Sequence, residues 1–254
     1  MTSSIQGPGL LHVRSRISPS AASILSESTY LKWYDDEHIT EVVSTSGINS
    51  GFRYIDINKT SVCGDAANPK PFLAFYPMEK LEFTLGDEFR KIGFQSENLP
   101  GTGIVYDLAD LDVSYLGLEG VTRRKKEGKG SAKFILSIGL RPSSNIGLAS
   151  FLERQISHLE KTPSYVRTLT FQLQYARTNA QSRALKGLPT TDEPSPEPSM
   201  WLALHEFEEK PGSSDVNTLR KDLQDLEGEV GTTLESEVYV WGLKRVHGKG
   251  ELFD

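Results

Sequence analysis

The sequence predicts an α+β fold made of two tandem ferredoxin-like βαββαβ repeats. The first half shows strand and helix patterns in the order β, α, β, β, α, β, and the second half shows the same order. Two strand segments also recur at equivalent places: MWLALHEFE resembles PFLAFYPME, and EVYVWGLKR resembles DVSYLGLEG. These observations indicate an internal duplication, with repeats at 9–120 and 134–247 joined by a basic linker at 121–133.

The first predicted strand, GLLHVRSRIS at 9–18, alternates between two kinds of side chain. Leu11 and Val13 fall on one face, and His12, Arg14 and Arg16 fall on the other. The first strand of this fold is central in its sheet, so its polar face indicates either a wet or ligand-bearing interior or a solvated open face. The other predicted elements of this repeat are a helix and a strand within 29–57, a polar loop at 59–71, a strand at 72–77, a helix at 79–94 and a strand-rich segment at 104–119.

The predicted helix after residue 28 contains the strongest candidate for a catalytic residue. Tyr30, Tyr34, His38 and Val42 share one face at helical spacing, so His38 should point inward among aromatic side chains. A hydrogen-bonded core histidine and a catalytic one explain the pattern equally well at this point.

The second repeat has the same predicted elements but fewer candidate catalytic residues. His158 falls near the position equivalent to His38, but no cluster of aromatic and acidic residues precedes it. We therefore place the main site in the first repeat. The four prolines at 180–199 predict a disordered insertion. The other predicted elements are strands at 134–140, 165–175, 200–208 and 237–245 and helices at 146–159 and 216–226.

Composition excludes several classes of protein. A net charge of −6 argues against a general nucleic-acid binder, and no apolar run reaches the length of a membrane span. The amino terminus is not of the secretory type, so the predicted location is the cytoplasm. The histidines have no metal-ligand spacing, no phosphate-binding loop follows a strand, and Cys63 has no base beside it.

The stretch KWYDDEHITEVVSTSGINSGFRY, followed by FLAFYPME, resembles the EthD-like group of dimeric α/β-barrel proteins. It is most similar to the fungal members that contain two fused repeats, and the resemblance extends from about Gly9 to about Val246. It implies that two ferredoxin-like sheets pack face to face as a barrel, here within one chain. Relatives of the group include cofactor-free polyketide cyclases, lactone isomerases, quinone-forming monooxygenases and haem-binding peroxidases. The resemblance assigns the acid–base role to His38.

Together, these observations predict a cofactor-independent cyclase, isomerase or dehydratase acting on a small aromatic or polyketide-like metabolite of secondary metabolism. His38 would transfer the proton, with its pKa lowered by burial and raised by a nearby Asp35, Glu37 or Glu41. Tyr34 would orient the substrate oxygen. The predicted substrate-binding residues are the apolar walls Trp33, Phe52, Tyr54 and Phe75, with Arg53 or Arg14 holding a carboxylate or phenolate.

Other functions stay open from the sequence. The chain is alternatively a non-catalytic ligand-binding or scaffold protein of the same fold, or a monooxygenase or haem-binding member. We predict no cofactor, metal, nucleic-acid or membrane partner, and homodimers are compatible with the sequence. An aromatic-lined pocket with His38 at its wall would favour an enzyme or binder, whereas a fully packed barrel would favour a scaffold.

Overall fold

The computed structural model describes residues 5–125, 127–128, 130–142, 147–189, 197–230 and 234–253. Its eight strands form one closed antiparallel barrel in the order β1-β3-β2-β8-β5-β7-β6-β4. The strands are β1 Gly9–Ile17, β2 Ser50–Asp56, β3 Phe72–Met78, β4 Ala109–Val121, β5 Phe134–Arg141, β6 Tyr165–Arg177, β7 Trp201–Phe207 and β8 Glu235–Gly248. The predicted α+β class is confirmed, and the barrel closes within a single chain.

The two halves of the chain place their strands in the same order. The first half gives β4-β1-β3-β2 and the second gives β8-β5-β7-β6, and the pairs β2·β8 and β4·β6 join them. All neighbouring strands are antiparallel, so β1 and β5 run in the same direction and their carboxyl ends lie at the same end of the barrel.

Strand alternation sorts the side chains into a barrel interior and two outer layers. On β1, Leu10, His12 and Arg14 point inward, while Leu11 and Val13 pack outward under the first-half helices. The second outer layer lies under the helices of the second half. The packed part of the interior is mainly aromatic and branched, and includes Phe52, Tyr54, Leu73, Phe75, Ile135, Leu169, Phe171, Leu204 and Trp241.

The helices cover the outside of the barrel. Ser26 caps the first α-helix, Glu27–Trp33, because its side chain accepts a hydrogen bond from the Thr29 N–H. No helix in the described part of the chain is long and apolar enough to cross a bilayer. The helical segments are a 3-10 turn Pro19–Ala21, α1 Glu27–Trp33, a π-helical turn Tyr34–His38, α2 Ile39–Val43, a 3-10 turn Leu81–Leu85, α3 Asp87–Arg90, α4 Val105–Leu108, α5 Leu148–Leu159, α6 Asn179–Leu185 and α7 Ser213–Val230.

The first half departs from the predicted elements in two places. The helix predicted at 79–94 is only a 3-10 turn and the single turn α3, because the backbone at Gly86 is extended between them, with φ −79° and ψ 164°. The segment at 104–119 begins with the helical turn α4 before its strand starts at Ala109.

The second half departs at the linker and at the insertion. Val121, the first residue of the predicted linker, still belongs to β4 and pairs with Leu169. The predicted insertion overlaps α6, which is ordered by a capping box between Thr178 and Gln181. Residues 190–196 of the insertion and residues 126 and 129 of the linker lie outside the described residues.

Candidate active site

A cavity of about 610 Å³ opens at the barrel end where β1 and β5 finish. Apolar side chains form part of its wall: Leu116, Leu173, Leu202 and Trp241. The indole N–H of Trp241 donates to Ser137 Oγ at 2.8 Å, so that nitrogen is not free for a ligand. The volume and lining suit a small molecule with an apolar body and a few polar groups.

His12 is a buried titratable group in the wall of this cavity. It lies between Phe75 on β3 and Ser114 on β4 in register, and only 8% of its surface is exposed. Its ring makes no hydrogen bond to any residue that the structure describes. Burial, assisted by the charge of Arg14, lowers the pKa of His12 to about 3. At neutral pH the cavity therefore presents an uncharged imidazole with an unused acceptor nitrogen.

Arg14 lies two residues further along β1 and is held from several sides. Its Nη1 donates to Glu237 Oε2 at 2.8 Å and its Nη2 to Asn68 Oδ1 at 3.0 Å. The guanidinium also lies over the Tyr239 ring, 4.5 Å from the centroid. Each terminal nitrogen keeps one further N–H, so the predicted role of Arg14 as a paired clamp for a substrate anion stays a prediction.

Ion pairs neutralise the charges at the cavity mouth. Arg16 Nε is 2.7 Å from Asp110 Oδ2, and Lys70 Nζ is 2.5 Å from Asp112 Oδ2. Arg14 and Glu237 form a third pair, and Arg177 and Glu197 also line the cavity, so the lining carries four groups of each sign. Because these charges balance, the site favours a formally neutral ligand.

The apolar walls predicted from β2 and β3 lie in the barrel interior but outside the cavity wall. The Phe75 ring packs against Phe52 and Tyr54, with centroids 5.3 and 5.5 Å apart. The Tyr54 hydroxyl donates to the Ala132 carbonyl at 2.6 Å. These three residues form packed core beside the cavity.

The predicted catalytic residues His38 and Tyr34, with the predicted wall residue Trp33, lie on the outer side of the sheet. His38 stacks on Trp33 and Tyr34, with centroids 5.2 and 5.5 Å apart, in the layer between helix and barrel. Burial lowers the pKa of His38 to about 4, and its Nδ1 has no hydrogen-bond partner among the described residues. Because the sheet separates the two layers, the structure does not bring His38 and Tyr34 together with Phe52, Tyr54 and Phe75.

None of the three predicted carboxylates hydrogen-bonds to His38. Glu37 accepts from Ser96 and Asn98, and Glu41 accepts from the Gly93 N–H. Asp35 instead contacts Arg53 and His247.

Arg53 points outward from β2 into this buried cluster. Its Nε and Nη2 each donate to Asp35 at 2.6 Å, and His247 Nε2 lies 3.1 Å from the same carboxylate. Burial raises the pKa of Asp35, but the hydrogen bonds from His247 and Arg53 outweigh it and lower the pKa to about 2. Two donors of Arg53 are thus occupied, and the residue lies away from the cavity.

The sequence reasoning did not select His12, Tyr239 or Trp241 as site residues. For His12 a signal was present in the polar face of the first strand. For Tyr239 and Trp241 the sequence shows only two aromatics at alternating positions of a strand, which is also the pattern of plain core.

Comparison with known proteins supports the fold. No protein-family model matches the chain, and no curated protein matches it. The structure is similar to that of an anthrone oxidase-like protein, with a TM-score of 0.54, 11% identity and coverage of 100% of this chain and 98% of that chain.

Two candidate monooxygenases also align with the chain. The one from Fusobacterium nucleatum has a TM-score of 0.48 at 9% identity, covering 97% of this chain and 96% of that chain. The one from Lactobacillus acidophilus has a TM-score of 0.45 at 8% identity, covering 97% of this chain and 100% of that chain. The anthrone oxidase-like structure confirms the barrel fold that the resemblance implied.

Proposed function

We propose that the protein is a cofactor-independent enzyme that removes a proton from a small, formally neutral aromatic or polyketide-like molecule in the barrel cavity. His12 is the base. The observation that carries this proposal is the buried, uncharged and unpartnered imidazole at the wall of the cavity of about 610 Å³. A general base must be within reach of the substrate and unprotonated, and His12 meets both needs. Its low pKa also makes it a weak base, so the proton transfer depends on stabilisation of the substrate anion.

The surroundings of His12 favour charge separation on the substrate. When His12 takes a proton from a phenol or from a carbon next to a carbonyl, the substrate becomes an anion beside an imidazolium. The fixed cation of Arg14 then stabilises the developing anion without having to reorient. The low pKa of His12 makes the proton easy to release afterwards.

Two fates of the anion agree with this first step. The proton can return to another atom, which gives an isomerisation, cyclisation or dehydration. Alternatively the carbanion reacts with O₂: anthrone and O₂ would give anthraquinone and water. The name of the anthrone oxidase-like neighbour makes this oxidation the first reaction to test.

We also propose that the chain is an internal duplication of a ferredoxin-like unit, as in EthD-like proteins of the fungal two-repeat type. The register supports it. Leu11 pairs with Tyr76 in the first half, as Leu136 pairs with His205 in the second. By the same register, Ser137 stands where the first half has His12, so the cavity contains one imidazole base and not two.

The first prediction separates His12 from the histidine selected by sequence. His12→Gln should lower the rate of anthrone-dependent O₂ consumption about 10²- to 10⁴-fold, the usual cost of losing a general base. His38→Gln, the matched control in the outer layer, should stay within a few-fold of the unmodified protein. Oxygen uptake and mass spectrometry of the products measure both the oxidative and the non-oxidative outcome.

The reverse result would reject the assignment. If His38→Gln abolished turnover while His12→Gln remained active and folded, the chemistry would belong to the outer layer.

A further inference from the structure

Side chains of two non-adjacent strands, β1 and β8, meet at the polar end of the cavity. β1 and β8 are not neighbours in the barrel, yet Arg14 on β1 contacts Glu237 and Tyr239 on β8. The Tyr239 hydroxyl donates to Glu237 Oε1 at 3.1 Å, and Arg14 Nη1 donates to Glu237 Oε2 at 2.8 Å. Guanidinium, carboxylate and phenol thus form a closed triangle that spans the barrel.

Protein partners hold Arg14 in place. Its two terminal nitrogens each donate one N–H, to Glu237 and to Asn68, and each keeps a second N–H. Its Nε is fully buried and has no hydrogen-bond partner among the described residues, so a molecule in the cavity does not reach it. Arg14 contributes its charge and a platform on which the Tyr239 ring rests.

Tyr239 is the member of the triangle whose polar group can both accept from and donate to a ligand. It lines the cavity, is half-buried, and its ring packs edge-on against Trp241 with centroids 5.5 Å apart. A phenol carries one rotatable donor and two acceptor lone pairs. While it donates to Glu237 it can accept from a substrate hydroxyl, and by rotating it can donate to a substrate carbonyl.

The two halves place large and small residues in a complementary way around this point. On β1 the first half has His12 and Arg14, where β5 has Ser137 and Gly139. On the last strand of each half the sizes are reversed. Ser114 pairs with His12 on β4, whereas Tyr239 pairs with Ser137 on β8. The large groups of β1 and β8 therefore converge across the barrel, and the small groups of β4 and β5 leave the space for the ligand.

We propose that Tyr239 is the residue that binds the substrate's oxygen, and that Arg14, itself held by Glu237, is the positioning residue that keeps the Tyr239 ring at the cavity wall. The ligand it selects is a neutral, planar aromatic molecule with a carbonyl or phenolic oxygen. The inference rests on the proposed function because it takes the cavity as the substrate site. It does not depend on His12 being the base.

A pair of probes that differ only in the oxygen tests this role. Anthrone and 9,10-dihydroanthracene share a ring framework, and only anthrone has the carbonyl. Binding is measured without O₂ by quenching of tryptophan fluorescence, since Trp241 is part of the cavity wall. Tyr239→Phe keeps the ring over Arg14 and removes the hydroxyl. It should weaken anthrone binding about tenfold, equivalent to about 1.4 kcal/mol, and leave dihydroanthracene within twofold.

Matched variants separate a direct role from a structural one. Tyr175→Phe removes a hydroxyl from a tyrosine that is 44% exposed and should change neither affinity. Glu237→Gln keeps an oxygen that accepts from Tyr239 and should stay within about threefold for anthrone. Glu237→Leu removes the acceptor that competes with the anthrone carbonyl for the Tyr239 proton, so it should not reproduce the loss seen for Tyr239→Phe.

The inference is overturned if Tyr239→Phe changes both affinities equally or neither, or if the unmodified protein binds the two probes equally well or not at all. The binding result is independent of turnover. If Tyr239→Phe weakens anthrone binding alone while His12→Gln stays fully active, the assigned base is rejected and the oxygen site is kept. If His12→Gln is inactive while Tyr239→Phe does not discriminate between the probes, the base is kept and the oxygen site is rejected.

Discussion

His12 has a property that separates it from an ordinary histidine, namely its resistance to protonation. With a pKa of about 3, it stays uncharged down to pH values far below the unperturbed pKa of about 6.5. Since the base must be uncharged, kcat/KM should stay flat from pH 8 to about pH 4.5 in the folded protein. A stopped-flow pH-jump assay, short enough to precede unfolding, measures the profile. A fall in kcat/KM centred between pH 6 and 7 would show that a different, solvent-accessible group is the base.

The choice between His12 and His38 shows what sequence can decide at the scale of a residue. Helical spacing correctly placed His38 on the face that packs inward. That face meets the outer surface of the barrel sheet, and the cavity lies on the sheet's inner surface. The polar face of β1 carried His12, but its two interpretations could be distinguished only by closure of the barrel, which depends on contacts between distant strands.

Among the secondary-structure elements, the π-helical turn Tyr34–His38 has a clear structural role. It projects Asp35 against β2 and β8, the seam between the two halves, where β2·β8 pairing also shifts register between Arg53 and Tyr54. Asp35 there contacts Arg53 and His247, all three nearly excluded from solvent. The turn therefore fastens the first-half helix to the last strand of the second half.

Removing the charge of Asp35 should loosen this seam. Asp35→Asn leaves the buried Arg53 without its paired carboxylate, a change that typically costs on the order of 3–5 kcal/mol. Asp36→Asn is the matched control: this neighbour on the same turn is largely exposed and hydrogen-bonds to Arg245 at 3.0 Å, so its loss should cost less than about 1 kcal/mol. Urea unfolding measures both, and equal costs for the two variants would contradict the assigned role of the cluster.

Element prediction succeeded where local pattern and tertiary context agreed. The strand formed by β1 alternates strictly, and α7 has a clear apolar stripe, so both were found. The helix predicted at 79–94 failed because its stripe of Leu81, Leu85 and Phe89 did not account for Gly86, whose extended backbone interrupts the helix. The start of the insertion was predicted from proline content, while the capping box of Thr178 and Gln181 that orders α6 went unused.

At the scale of the whole molecule, the duplication proposed above would explain why a cavity with one polar, asymmetric site can form inside a nearly symmetric barrel. Equivalent strands close the barrel by backbone hydrogen bonds, which do not depend on side-chain identity. Substitution at a few inward positions then changes the interior without changing the barrel. For example, β5 has Ser137 and Gly139 at the positions equivalent to His12 and Arg14 on β1. A fully packed barrel, the outcome that favoured a scaffold, is not what these inward positions produce.

The histidines also make the stability of the whole molecule depend on pH. Burial lowers the pKa of His12 and His205 to about 3 and that of His38 to about 4. In the unfolded chain these histidines would titrate near 6.5. Below that pH the unfolded state therefore binds protons that the folded state does not bind. Stability is therefore full above about pH 6.5 and is lost as the pH falls toward 4, by on the order of 1.4 kcal/mol per pH unit for each histidine. Asp35, with its pKa lowered to about 2, adds a further loss only below about pH 4.

This dependence should appear as a steep acid transition in urea unfolding measured between pH 7.5 and 4.5. His205 gives the matched test, because it lies in the outer layer of the second half, away from the cavity, and its Nδ1 is 2.8 Å from Thr168 Oγ1. His205→Asn keeps a polar atom for Thr168 but cannot be protonated. It should reduce the slope of unfolding free energy against pH by about one third, whatever its effect on stability at pH 7.5. An unchanged slope in His205→Asn, or a flat profile for the unmodified protein between pH 7 and 5, would show that these histidines are not kept neutral by the fold.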